Sequence, residues 1–217
     1  MSSLKHRIGK KILPRLPINR RTFDIIRYEV SSLILIARNA FDWRYHRVVR
    51  SLANSRELSI NLGSGGKGLP GWINIEFRRY ADTSIALDIR KPLPLANASA
   101  RRVIIEHVLE HLDFRTDAPN LLSEVFRVLT PGGVFRIIVP DCERFLQAYV
   151  SGEKQQWEDL GWDIENMPED IYTPMHIINH TFHQEGEHLF GYDFDTLSMI
   201  LRKAGFRQVE KMSFGHS

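Results

Sequence analysis

The residues of this 217-residue chain best suited to chemistry fall in three places. The first is Gly63-Ser64-Gly65-Gly66-Lys67-Gly68, which satisfies G-x-G-x-x-G. A dinucleotide site of that form needs its last glycine to open a helix whose N-terminus holds a pyrophosphate. Here Leu69-Pro70-Gly71 breaks the chain at once and a new apolar run begins at Trp72. The plain alternative is a glycine-rich turn. The second place is His107-Val108-Leu109-Glu110-His111, whose H-x-x-E-H spacing can line up two imidazoles for zinc on a helical face. It directly follows an apolar strand, and no third ligand stands downstream in a matching context, so no metal is expected. The third is the group His176, His180, His183 and His188, set among Trp157, Trp162, Tyr172, Phe182, Phe190 and Tyr192. A neutral imidazole can take a hydroxyl proton and aromatic faces stack on sugar rings, although four histidines can equally be surface residues or an adventitious metal trap.

The elements that must position these residues can be read from apolar spacing. Strands are expected at Leu58 to Leu62, Trp72 to Ile75, Ser84 to Leu87, Val103 to Ile105 and Val134 to Val139, with a sixth at Phe206 to Met212. Glu76 and Asp88 end the second and third, where an isolated acid is most often simply solvated. Leu121, Leu122, Val125, Phe126, Val128 and Leu129 mark a helix from Asp117, stopped by Thr130-Pro131-Gly132-Gly133, and Phe194 to Ala204 is a second, closed by Gly205. Apolar residues from Thr22 to about Leu52 recur at helical spacing and predict one or two helices. Residues 141–192 read as a long irregular segment, of the kind that carries function.

Five landmarks in fixed order, Ile60 to Gly66, Glu76, Asp88, Ile104 to Leu112 and Leu129 to Gly133, resemble the class I S-adenosylmethionine-dependent methyltransferases. The resemblance spans about Glu57 to Phe214. The run Leu69-Pro70-Gly71-Trp72-Ile73-Asn74 is closest to a small bacterial, type 11-like subgroup associated with surface polysaccharide synthesis. It implies an α/β fold with a Rossmann-like sheet and helices on both faces, S-adenosylmethionine as cofactor, and methyl transfer to an oxygen of a saccharide or related small acceptor. By the same resemblance Asn61, Gly63, Ser64, Gly65 and Gly66 close on the methionine and ribose parts, Glu76 accepts the ribose hydroxyls, and Asp88 with Ile89 holds the adenine. Glu106 and His107 would border the sulfonium, while Glu110 and His111 would start and stabilise the next helix. Asp141, Trp157, Trp162 and Tyr172 would meet the acceptor under a lid over about 141–192, with His180 or His183 as general base. The alternative is a non-catalytic S-adenosylmethionine-binding regulatory or partner protein; an NAD-dependent oxidoreductase ranks third.

Two departures from that pattern stand out. The first two crossovers are too short for full helices, so the helix near 22–52 is expected to cover the exposed half of the sheet, and no residues follow the sixth strand to make the usual seventh. The expected organisation is a basic arm over 1–20, a helical extension over 21–56 and the cofactor-binding domain over 57–217. Residues 1–50 hold 12 Lys+Arg against 3 Asp+Glu, a local +9 that leaves −6 for the remainder of a chain of net charge +3. Such an arm can approach an anionic membrane; no nucleic acid partner is expected. The single Cys142 and the lack of a signal-peptide core fit a cytoplasmic protein.

Overall fold

The computed structural model describes residues 19–213, so the basic arm expected over 1–20 lies, up to residue 18, outside the described residues. The chain forms two compact units that divide between His46 and Arg47. In the first, α1 (Arg20–Phe41) starts at Asn19, whose side-chain oxygen accepts from the Thr22 amide at 2.8 Å. Asp42 ends it, and its carboxylate accepts from the Arg44 amide at 2.9 Å to open α2 (Trp43–Leu52), which runs across the division. Ser32, Leu35 and Asn39 of α1 are buried, while Ile25, Ile26, Val30, Leu33, Ile34, Ile36 and Phe41 are exposed. No helix among the described residues is long and apolar enough to cross a membrane.

The second unit is built on a parallel sheet of order β3-β2-β1-β4-β5, made of β1 (Leu58–Leu62), β2 (Ile73–Glu76), β3 (Ile85–Ala86), β4 (Ala100–Glu106) and β5 (Leu129–Ile138), and flanked by helices. Its core is apolar along the first four strands: Ile60, Leu62, Ile75, Ile85, Val103 and Ile105 are all but inaccessible. α3 (Asp117–Val128) buries Ala118, Leu121, Leu122, Val125 and Val128, the one-sided stripe its sequence predicts. Thr130 to Gly133 loops out of β5 opposite Arg101, because Ala100 pairs with Leu129 and Arg102 already pairs with Val134. Gly132 takes φ +74° there, and its carbonyl accepts from Arg101.

Two expectations are corrected. Phe206 to Met212 is not a strand: no sixth strand occurs among the described residues, and Phe206 instead packs edge-on against Phe126, with ring centroids 5.3 Å apart. Residues 141–192 are not irregular but hold α4 (Cys142–Ser151), α5 (Lys154–Glu158) and α6 (Pro174–His183), which share a core of Phe145, Ala148, Trp157, Ile177 and Ile178. α7 (Phe194–Ala204) then packs on α3, and Gly205, at φ +112°, lies against Phe126, where a Cβ would come within 2.8 Å of the ring.

The crossover from β3 to β4 has no helix, and α3 holds it by side chains. Glu124 accepts from the Leu93 amide at 2.7 Å, while Arg127 donates to the Leu95, Leu93 and Asn97 oxygens and to both oxygens of Glu124. The Arg127 hydrogen bond holds the Glu124 carboxyl below its usual range. Its stabilising effect is therefore present above the unfolded carboxylate range and fades as pH falls through the lower folded value. Arg127→Ala should cost about 1.5–3 kcal/mol in urea unfolding at pH 7, with the gap to the unaltered protein narrowing below about pH 4. Equal midpoints at pH 7 would show that the crossover holds itself.

Candidate active site

The strand order reverses between β1 and β4, since β2 and β3 lie on one side of β1 and β5 lies beyond β4. In an open α/β sheet a ligand binds at such a point, outside the carboxyl ends of the strands. Two segments meet there: the glycine loop after β1 and the turn after β4. Gly63 has φ +70°, and a Cβ on it would collide with Val108 Cγ2, so the missing side chain is what allows the two segments to touch. Gly65, at φ +60°, faces open space. Ser64 is buried, and its Oγ has no hydrogen-bond partner among the described residues. An orphaned hydroxyl beside an open glycine backbone fits a polar ligand that approaches the main chain closely.

Glu76, at the end of β2, closes on this loop. Its Oε2 accepts from the Gly65 amide at 3.0 Å and its Oε1 from the Arg78 amide at 3.1 Å. Tyr80, which the sequence reading passed over, lies along the loop, 3.3 Å from where a Cβ of Gly66 would stand; its signal is an aromatic ring four residues after the strand-end acid. Asn61 is turned inside instead: it is buried and donates to Asn74, whose side chain in turn bonds both backbone groups of Leu69. That pair fixes the far end of the loop. Asp88 is also closed off. Its side chain is fully covered, both oxygens accept from the Arg90 guanidinium, and Oδ1 accepts from the Arg90 amide as well. Ile89 beside it is half-buried.

Beyond β4, Glu106 and His107 are exposed at the sheet's carboxyl edge. His107 adopts φ +51°, an uncommon conformation for a residue with a Cβ, and its Nδ1 lies 3.1 Å from Glu110 Oε1. Glu110 and His111 do not start the next helix. They lie in a 3-10 turn, Leu109–His111, while α3 begins only at Asp117. The Glu110 carbonyl accepts from the Leu189 and Phe190 amides at 2.7 and 3.2 Å, which brings His188 against His111 with ring centroids 4.7 Å apart. Nothing along the sequence signals this contact between His188 and the second histidine of H-x-x-E-H. Burial holds the His188 pKa below the usual imidazole range.

The other acceptor-side residues do not converge. Trp157 is 1% exposed and belongs to the helical core, out of reach of any acceptor. Trp162 is partly buried, with the His180 ring edge-on at 5.9 Å, and Tyr172 is 69% exposed. His180 and His183 are exposed on α6, with no carboxylate to orient either ring among the described residues. Asp141 pairs with Lys211 at 2.8 Å through Oδ2, while its Oδ1 is buried without a partner. Cys142 is buried and its thiol is pushed up to about 11, which makes it an inert packing group. A cleft of about 900 Å³ lies along α4 between Gln147, Phe182 and Thr196, but no glycine-loop or strand-end residue lines it. The switch point, not that cleft, holds the convergent polar groups.

Residues 73–137 match the family model described as a methyltransferase domain. None of the curated proteins matches the chain. Among solved structures, an S-adenosylmethionine-dependent methyltransferase from Thermotoga maritima, described as a possible histamine N-methyltransferase, is similar at 18% identity. That alignment covers 79% of this chain and 80% of that one, with a TM-score of 0.43. A complex between the Haloferax volcanii Trm112 methyltransferase activator and the methyltransferase paired with it is similar at 14% identity, over 70% and 89% of the two chains, with a TM-score of 0.37. The methyltransferase-domain match runs from β2 to β5, less than half of the chain, and includes Glu76, Asp88, Glu106 and His107 but not the glycine loop; it points to methyl transfer with S-adenosylmethionine as the cofactor.

The contact between loop and turn can be tested directly. Gly63→Ala should destabilise the protein by about 1–3 kcal/mol through strain at positive φ and the clash with Val108. Adding Val108→Ala should recover the clash but not the strain, so the double variant should unfold between the unaltered protein and the single one in urea. A single variant as stable as the unaltered chain would mean that the two segments do not meet as described.

Proposed function

We propose that the chain transfers a methyl group from S-adenosylmethionine to a hydroxyl oxygen of a saccharide or related small acceptor used in surface polysaccharide synthesis. The observation that carries the reading is the clasp of Glu76 on Gly65 beside the orphaned Ser64 hydroxyl. Each Glu76 oxygen is used by one backbone amide and retains a lone pair, so a ribose diol is the partner we assign to it. Gly63, Ser64, Gly65 and Gly66 let the backbone approach the cofactor, and Ile89 offers an apolar surface for its ring. Asp88 acts in this reading through Arg90, by fixing the turn that presents Ile89. Asn61 acts through Asn74, by fixing the loop. Glu106 and His107 border the methionine end.

S-adenosylmethionine, when bound, supplies a methyl group on a positively charged sulfur. The protein aligns the acceptor oxygen with it and takes up the hydroxyl proton. We assign the proton to His180 or His183. Tyr172 and Trp162 present aromatic faces of the kind that stack on sugar rings, and the free oxygen of Asp141 can accept an acceptor hydroxyl. In this arrangement residues 57–217 form the methyltransferase domain, residues 21–56 a helical extension, and the basic N-terminal arm a peripheral contact for an anionic membrane on the cytoplasmic side.

Glu76→Ala should weaken S-adenosylmethionine binding by about 1.5–3 kcal/mol in calorimetry, and unchanged affinity would remove Glu76 from the site. His180→Ala or His183→Ala should lower methyl transfer roughly 10²–10⁴-fold at constant cofactor affinity. Full turnover in both variants would leave the α6 histidines without a catalytic role. Cofactor binding with no transfer to any hydroxyl acceptor would favour a non-catalytic binding protein.

A further inference from the structure

We propose that Glu110, His111 and His188 form a binding site for one divalent transition-metal ion of the zinc class, held by a carboxylate oxygen and two imidazole nitrogens. One ligand atom from each residue lies within 4.8 Å of the others, close enough for a single ion to gather all three with small side-chain movements. The set was not apparent along the sequence because His188 arrives from far down the chain, carried in by the Leu189 and Phe190 amides on the Glu110 carbonyl.

Hydrogen bonding fixes which atoms are free to ligate. His111 Nδ1 lies 3.0 Å from the Glu187 carbonyl, and His188 Nδ1 lies 2.6 Å from the Thr181 carbonyl. A carbonyl can only accept, so both Nδ1 atoms carry hydrogen, and each neutral ring presents its lone pair at Nε2. A ligating histidine whose other nitrogen donates to a backbone carbonyl is the usual outer arrangement of metal sites, where it sets both tautomer and ring orientation. The two rings meet edge to face at 81°, with centroids 4.7 Å apart, which leaves both within reach of one ion.

Glu110 supplies the independent sign. Its side chain is almost fully buried; Oε1 accepts from His107 Nδ1, and Oε2 has no partner at all among the described residues. A buried carboxylate oxygen without a donor is costly, and a cation is the partner that removes that cost. Two imidazoles and a carboxylate suit zinc and, less tightly, manganese or cobalt, and three protein ligands leave a coordination position for water or an acceptor oxygen. Resting on the methyl-transfer reading, the place of this set directly after β4 gives the ion a role in holding the acceptor hydroxyl and making it more acidic.

The test uses the tag-free full chain after chelation, titrated with zinc chloride in a calorimeter and with cobalt chloride in a spectrophotometer, both without cofactor. One equivalent of zinc should bind, and cobalt should give the visible absorption of a site with nitrogen and oxygen ligands. His111→Ala, His188→Ala and Glu110→Gln should each weaken zinc binding by about 100-fold or more, whereas His176→Ala should not. Absence of stoichiometric binding and of cobalt bands in the unaltered chain would overturn the site, as would wild-type affinity in the three folded variants. S-adenosylmethionine titrated into the same chelated protein reports separately: zinc bound without the cofactor leaves the metal site standing and sinks the methyltransferase assignment, and the reverse result does the opposite.

Discussion

Val108 fills the space that a side chain at Gly63 would need, and the site on either side depends on that contact. β1 and β4 are neighbours in the sheet, but the chain leaves them in opposite directions, which would ordinarily open a gap at their carboxyl ends. Because the glycine has no Cβ, the loop after β1 rests directly on the turn after β4. The two lie against each other at the carboxyl ends of the strands. Glu76 then reaches the loop from β2, and Glu110, within the turn, accepts from His107, so polar groups of both segments stand beside an apolar contact between strand ends.

The short crossovers explain why so many polar residues here serve the backbone. A parallel sheet normally covers its connections with helices, and where these are missing the free amides and carbonyls need other partners. Asn74 meets both backbone groups of Leu69, Asp82 accepts from Gly68, Ser84 accepts from Asn74, and the Glu124–Arg127 pair holds the β3–β4 segment. Asp88 and Asn61 belong to the same set. Once these are subtracted, few buried polar atoms among the described residues remain without a partner, and two of them, Ser64 Oγ and Glu110 Oε2, belong to the glycine loop and to the turn after β4.

The sheet and the glycine loop were legible because both are local. β1 and α7 fall within the residues that their apolar spacing marks, and the break at Leu69-Pro70-Gly71 correctly excludes a phosphate-binding helix after the glycines. What escaped depends on distance or on a misread period. Phe206, Val209 and Met212 are three apart, not two, so the segment never had the alternation of a half-buried strand. α5 is only five residues long, and it is held by Trp157, buried among side chains of α4 and α6 that no local pattern brings together. The fork of Arg90 on Asp88 is the opposite case: at two residues' separation it was open to inspection, and an acid that opens Asp-x-Arg after a strand has a ready internal partner.

The two ends of the helical segment over 141–192 are joined to each other, and the later end is also tied to the turn after β4. At its start, Asp141 and Cys142 are bridged to Tyr192, whose hydroxyl is buried and whose pKa burial raises. Before it returns to α7, the chain lies on the Glu110 carbonyl through Leu189 and Phe190, while Phe190 stacks on Phe114 at 4.0 Å. His188 lies beside these contacts, and His111 on the turn they grip, so the same hydrogen bonds that dock the segment bring the two imidazoles together. An ion bound between them would add to the hydrogen bonds that hold the segment to the turn, so metal binding and docking of the segment support each other.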